Sequence, residues 1–149
     1  MMKNQMTVIF DAVSENEAFA RNTVAAFCVA LDPTVDQIND IKTAVSEAVT
    51  NSIVHAYPSG ENNKITVVTT IDDESVHIVV SDEGIGIDNI ENAMQPFYTT
   101  KPEQERSGMG FTVMESFMDE LKVEPNTPNG TVVSMTKTIR GADWKKKKR

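Results

Sequence analysis

Ile41-Lys-Thr-Ala-Val-Ser-Glu-Ala-Val-Thr-Asn-Ser-Ile-Val-His55 carries two periodic signals at once. Ile38, Ile41, Val45, Ala48/Val49 and Ser52/Ile53 recur at helical spacing and predict one apolar face of a long helix. Glu47, Asn51 and His55 sit four residues apart and form a second line beside that face. Glu and His are ordinary on a solvated helix surface. Asn is not, because its side chain competes for backbone hydrogen bonds and disfavours mid-helix positions. A carboxylate one turn from a carboxamide suits a hydrated hard cation: the amide oxygen ligates, and the carboxylate takes a proton from a nearby nucleophile. By itself the pattern also fits a solvated helix face.

The chain of 149 residues is long enough for one domain with a real core, and 40% hydrophobic with 24% charged residues is ordinary for a globular protein. No apolar run approaches bilayer length and Met1-Met-Lys-Asn-Gln5 has no signal-peptide core, so a cytoplasmic location is expected, without membrane association. Cys28, on the apolar side of a predicted helix, is expected to be a buried small hydrophobe. Net charge is −8 although the chain ends in Lys145-Lys-Lys-Lys-Arg149, so the body is more acidic still, which argues against direct nucleic-acid binding. The expected division is a domain over 1–140 and a basic, disordered tail over 141–149.

Met6-Thr-Val-Ile-Phe10 alternates and predicts a strand. Ser14-Glu-Asn-Glu17 predicts a capping box for a helix running to about Leu31, with Phe19, Thr23, Ala26, Phe27 and Ala30 facing the core. Asp32-Pro33 predicts the N-cap and first residue of the second helix, which runs to about Ala56 before Pro58-Ser-Gly60 breaks the chain. Lys64–Ile71 and Ser75–Ser81 read as a hairpin about Asp72-Asp-Glu74. A short helix is expected over Asp88–Met94, a long aperiodic loop over Gln95–Ser107, and a helix over Gly110–Glu120. Leu121–Glu124 and Thr131–Ile139 close the chain as two strands. Hairpins imply antiparallel pairing, and helices clustered in sequence imply one covered face. The fold class expected is therefore α+β, a two-layer sandwich with a mostly antiparallel sheet and helices on one face.

Three glycine sites fall at element boundaries. Asp82-Glu-Gly84-Ile-Gly86 ends a strand, so its glycines permit a sharp turn and close approach of a flat ligand, and Asp82 is an acceptor suited to an exocyclic amine. A turn with a solvated Asp fits the same residues. Arg106-Ser-Gly-Met-Gly110 opens a helix, whose N-terminus favours an anion, with Lys101 and Arg106 beside it. It is neither a P-loop nor a dinucleotide fingerprint. Gly130-Thr131 opens the last strand. The order of these parts is more specific than any one of them.

That order resembles the Bergerat-type ATP-binding fold shared by gyrase, Hsp90, histidine kinases and the MutL group. Within it, Ser46-Glu-Ala-Val-Thr-Asn51, Phe97-Tyr-Thr-Thr-Lys-Pro102 and Arg106-Ser-Gly-Met-Gly-Phe-Thr-Val-Met-Glu-Ser-Phe-Met-Asp-Glu120 resemble the sporulation anti-sigma F factors of endospore-forming bacteria. The resemblance covers nearly everything up to about Ile139 and leaves the basic end unassigned.

The resemblance implies a homodimeric protein-serine kinase that binds the RNA polymerase sigma-F factor when ATP is present. It also implies phosphorylation of a serine on a small anti-anti-sigma factor, with ADP favouring a lasting complex with the unphosphorylated form. Residue by residue, Glu47 would be the general base and Asn51 the Mg²⁺ ligand. Asp82, supported by Thr131, would receive the adenine amine, and Gly84 and Gly86 would let the base approach. Lys101, Arg106 and the amides of Ser107, Gly108, Met109, Gly110 and Phe111 would cradle the phosphates of ATP under a lid. His55 is expected to support the helix end rather than accept phosphate. Alternatives are a general-stress anti-sigma kinase of the same family, an ATP-dependent binding module without kinase activity, and a detached histidine-kinase catalytic domain. A gyrase-type hydrolase is disfavoured because no transducer domain follows.

Overall fold

The computed structural model describes residues 3–56, 63–87, 90, 94 and 110–139, with only the backbone of 55 and 56. The Pro58-Ser-Gly60 break, most of the short helix expected over Asp88–Met94, the loop over Gln95–Ser107 and the tail lie outside the described residues.

Five strands form one sheet in the order β1-β2-β3-β5-β4, every neighbour antiparallel. They are β1 (Lys3–Asp11), β2 (Lys64–Asp72), β3 (Ser75–Asp82), β4 (Glu120–Pro125) and β5 (Thr131–Thr138). Among the described residues, the helices α1 (Glu15–Cys28), α2 (Val35–Asn51) and α3 (Gly110–Phe117) complete the α+β sandwich expected from the hairpins. The alternation of each strand turns Ile65, Val67 and Ile71 of β2, Val76, Ile78 and Val80 of β3, and Val133 and Met135 of β5 inward. Against them lie Ile41, Ala44, Val45, Ala48 and Val49, the apolar stripe of α2, all fully buried. The period of two has a consequence at the end of β3. Asp82 falls on the same inward row, so a carboxylate ends up buried beneath α2.

Thr69 also falls on an inward row, and its Oγ1 is the one buried side-chain polar atom without a hydrogen-bond partner among the described residues. A buried hydroxyl with no partner costs free energy that an isosteric methyl does not. Thr69→Val is therefore expected to raise stability by about 1 kcal/mol in urea unfolding. A destabilised variant would show that the hydroxyl is satisfied after all.

Helix boundaries differ from the sequence expectations in instructive ways. Ser14 does not cap α1: it is itself helical (φ −56°, ψ −33°) and makes no side-chain cap bond. Glu17, the other half of the expected box, is held by the Arg21 guanidinium at 2.5 and 2.6 Å, a charge-assisted pair that outcompetes a neutral cap. The core face of α1 is Ala20, Val24, Ala25 and Cys28 rather than the Phe19-based stripe, a rotation of about one residue, or 100°. Small residues let α1 approach closely. Phe19 stays half-exposed at the rim, edge-on to Phe10 with centroids 6.5 Å apart.

For α2 the cap is Thr34, not Asp32. Its hydroxyl accepts from the Gln37 amide at 3.1 Å while the Gln37 side chain accepts from the Thr34 amide at 2.9 Å. Asp32 instead turns the chain in the left-handed region (φ 53°) after a 3₁₀ turn over Val29–Leu31. The second helix reaches Ala56 as expected, but changes to a π-turn over Ser52–Ala56. Helix α3 stops at Phe117, short of Glu120, because the Asp119 amide donates to the Thr136 carbonyl at 2.9 Å and draws the chain into the sheet. Lys137 of β5 donates to the Phe117 carbonyl at 2.7 Å and pairs with Asp40 of α2 at 3.5 Å. A cation at the negative end of α3 thus ties that end to both layers.

Cys28 is fully buried, as its place in the sequence suggested, and burial pushes its thiol from 9.0 up to about 12. The folded chain therefore keeps the thiol neutral where the unfolded chain ionises it. Its contribution to stability is unaffected below pH 9.0 and is lost as pH rises through about 12. The expected slope is roughly −1.4 kcal/mol per pH unit in that window. Cys28→Ala should abolish that part of the alkaline slope in denaturant titrations. An unchanged slope would place the loss on other groups.

Candidate functional site

The site is assembled at one end of α2, where three consecutive features meet. Glu47 and Asn51 are both half-buried and face the first residue of α3. A Cβ on Gly110 would lie 3.1 Å from Asn51 Nδ2, 3.2 Å from Asn51 Oδ1 and 3.3 Å from Glu47 Oε2. Glycine at 110 is thus what lets the α3 N-terminus rest on the acid–amide pair. The amides of a helix's first turn, here from Gly110 and Phe111, have no intrahelical acceptors and suit an anion. The Phe111 ring turns the other way, into the core.

One residue beyond Asn51, Ser52 reaches the end of β3. Its hydroxyl donates to Asp82 Oδ2 at 2.8 Å, and both residues are buried, at 5% and 4% exposure. Asp82 Oδ1 accepts from the Gly84 amide at 3.0 Å and the Thr131 amide at 3.1 Å. Two oxygens receiving three directed donors hold the carboxylate in a single orientation. Thr131 therefore supports Asp82, and through its backbone N–H.

The turn after β3 is clamped by the β4–β5 connection. Asn126 Nδ2 donates to the Asp82 carbonyl at 2.8 Å, and Asn129 Nδ2 donates to the Glu83 and Gly84 carbonyls at 2.6 and 3.1 Å. Gly130 adopts φ +107° and packs on this turn, and Gly86 adopts φ +79° with Gly130 O as its nearest neighbour. Neither conformation suits a residue with a Cβ. At Gly84 no left-handed conformation is involved; its amide is what the turn uses.

The structure thus brings together Glu47, Asn51, Gly110 and Phe111 on one side, and Asp82, Gly84, Gly86 and Thr131 on the other, joined through the Asn51–Ser52 step. Lys101, Arg106, Ser107, Gly108 and Met109 lie outside the described residues, as does the His55 side chain. Sequence reasoning missed Ser52, which it placed on the apolar face, and the two asparagines of the Pro125–Gly130 connection. A serine directly after Asn51 on a core-facing row was the available signal. For Asn126 and Asn129 there was only turn composition.

The donor set fits a magnesium nucleotide. No cluster of three or more His, Cys, Asp or Glu exists among the described residues, so no all-protein metal cage is present there. Magnesium in phosphate sites uses one or two protein oxygens plus phosphates and water, which Asn51 beside a helix N-terminus matches. Asp82 and its donors offer a fixed acceptor at the far end. No helix among the described residues is long and apolar enough to cross a membrane.

Residues 10–137 match the family model of the histidine kinase-like ATPase domain. Among curated proteins, the chain is 57% identical to the anti-sigma F factor of Clostridium beijerinckii over 137 residues, 92% of this chain and 96% of that one. It is 56% identical to the anti-sigma F factor of Geobacillus thermodenitrificans over 138 residues, covering 93% and 94%. Among solved structures, the RsbU and RsbW domains of a Mycobacterium tuberculosis protein align with TM-score 0.66 at 18% identity, over 93% of this chain and 34% of that one. The catalytic domain of histidine kinase ThkA aligns with TM-score 0.59 at 19% identity, over 91% and 97%. At those identities the two structures share the fold. The sequence relatives go further: this chain belongs to the anti-sigma F factor family, within the histidine kinase-like ATPase domains.

Proposed function

We propose that the chain is an anti-sigma factor and protein-serine kinase: with ATP it holds the sporulation sigma-F factor away from transcription, and it phosphorylates a serine of an anti-anti-sigma protein. The observation that carries this reading is the acid–amide pair Glu47/Asn51 one step from Ser52, which bonds the buried Asp82, with the start of α3 against the pair. Asp82, held by Thr131 and Gly84, would accept the adenine amine, and Gly86 would leave room for the base. Asn51 would hold Mg²⁺, and the amides of Ser107, Gly108, Met109, Gly110 and Phe111 with Lys101 and Arg106 would hold phosphate oxygens. Magnesium, when bound, neutralises phosphate charge. Glu47 would take the proton of the incoming serine hydroxyl as its oxygen bonds to the γ-phosphorus and the β–γ bridging bond breaks, leaving ADP. Positioning and charge are what this reaction chiefly needs.

A homodimer is part of the proposal, as are a cytoplasmic location and a single domain over 1–140. Support for an assembly edge comes from the sheet. The β4 edge alternates charged residues, Glu120, Lys122 and Glu124, which guard it against pairing, whereas β1 exposes Asn4, Gln5, Thr7 and Ile9 between charged ends. Mixing the protein with labelled ATP, Mg²⁺ and the anti-anti-sigma protein should place acid-stable phosphate on a serine. Absence of label with ATP-dependent sigma capture would favour the binding module. An acid-labile label would point to histidine transfer, and capture of a general-stress sigma factor instead of sigma-F would select the alternative family member.

A further inference from the structure

A lysine on a core-facing row is costly unless a group inside receives its charge. Lys137 is such a lysine: it follows Thr131, Val133 and Met135 on the inward row of β5, and its side chain is 12% exposed. Its ammonium donates to the carbonyl of Phe117, the last residue of α3, at 2.7 Å and pairs with Asp40 of α2 at 3.5 Å. Glu47 and Asn51 lie seven and eleven residues beyond Asp40 in α2, so at about 100° per residue all three fall within about 20° of one line. Helix α3 runs along that line in the direction opposite to α2, with Gly110 at Glu47 and Asn51 and with Phe117 tied through Lys137 to Asp40. From first residue to last α3 rises about 10 Å, as does α2 from Asp40 to Glu47. Both ends of α3 are therefore pinned to one stripe of α2.

Between the pins, α3 meets the core through Phe111, Met114 and, just past its end, Met118. Such contacts are non-directional, and methionine side chains adapt to small shifts. They decide which face of α3 turns inward but set its level along α2 only loosely. An ammonium held between a carboxylate and a helix-end carbonyl is directional, and fixing register is the best-attested use of a buried ion pair. We propose that Lys137 is a positioning residue for nucleotide phosphates: by bridging Asp40 to the end of α3, it sets the level at which the first turn of α3 stands beside Glu47 and Asn51. This rests on reading that first turn as a phosphate holder and adds what fixes its place. Lys137 binds the opposite end of α3 from the Gly110 and Phe111 amides, so it acts through the helix and touches no phosphate.

The test is nuclear magnetic resonance titration of the full chain, with Mg²⁺, by ADP and by adenosine, which carries the base without phosphates. The parent should bind ADP about a hundredfold more tightly than adenosine, since phosphates meet charge-assisted donors. Lys137→Met, which keeps the length and loses the charge, should weaken ADP about tenfold and adenosine by less than about twofold. Asp40→Asn should lower the preference in the same direction, and the double variant should lose no more than Lys137→Met alone, because the two act as one link. A lysine that attracted phosphate directly would be freed by Asp40→Asn, and ADP would bind more tightly. A merely structural lysine would lower the urea midpoint and leave the preference unchanged. Either result would overturn the proposal while leaving the first turn of α3 as the phosphate holder. A parent that binds adenosine as tightly as ADP would overturn the reading of that turn and this inference with it. Should Lys137→Met not fold, Asp40→Asn decides alone: a lowered preference for ADP supports the proposal, and an unchanged or raised one refutes it.

Discussion

Glu47→Ala is expected to cut phosphate transfer to the anti-anti-sigma protein about a thousandfold while leaving ATP affinity within about threefold of the parent. The magnitude is that of a positioned general base lost outright, since water cannot hold the same place against the serine hydroxyl. Binding should survive because, in the proposed arrangement, Glu47 addresses the incoming serine hydroxyl and no atom of the nucleotide itself. Its neighbour Asn51 and the start of α3 remain. The clean control is Glu47→Gln, which keeps the shape against Gly110 and removes only the basic oxygen. Single-turnover transfer and a separate nucleotide titration check the pair of outcomes. Loss of affinity and transfer together, in both variants, would make Glu47 part of the binding wall and not the base.

Gly130→Ala should have the largest structural effect of any single methyl in the described residues. At φ +107° an added Cβ would lie 2.8 Å from both the Asp82 carbonyl carbon and Glu83 Cα, with the Asp82 carbonyl oxygen closer still. These are backbone atoms at the end of a central strand, and they have nowhere to go without breaking the Asn126 and Asn129 bonds. The expected loss is about 3 kcal/mol or more in urea unfolding, with nucleotide binding abolished because the turn carrying Asp82 moves. Gly86→Ala provides the scale. It also has positive φ, but the nearest atom its Cβ would meet is Gly130 O at 3.3 Å, so a cost of ~1 kcal/mol is expected. Equal effects at the two positions would mean that backbone strain alone, and not the clash with the turn, decides the outcome.

Most elements were legible because their periods are unambiguous. The alternation of Lys64–Asp72 and Ser75–Asp82 and the 3.6 period of Ile41–Val49 each bury one face, and burial is what enforces those periods. Legibility failed where two local signals competed for the same residue. Glu17 suited both a capping box and an ion pair with Arg21, and the ion pair prevailed. In α1, large phenylalanines drew attention from the small residues that allow close helix packing.

From composition, spacing and motif order the chain's class was already determined: an antiparallel sheet with helices on one face, an acid–amide helix, and an Asp-x-Gly-x-Gly strand end. These depend on neighbours along the chain, and a sequence records them directly. Only the tertiary structure decided that Ser52 bonds Asp82, that Asn126 and Asn129 clamp the turn, and that Gly110 rests on Glu47 and Asn51. Those contacts join positions 30 to 63 residues apart, and which donor meets which acceptor depends on how closely α2 settles on the sheet. That distance is set by the summed packing of the core, a quantity no local pattern carries.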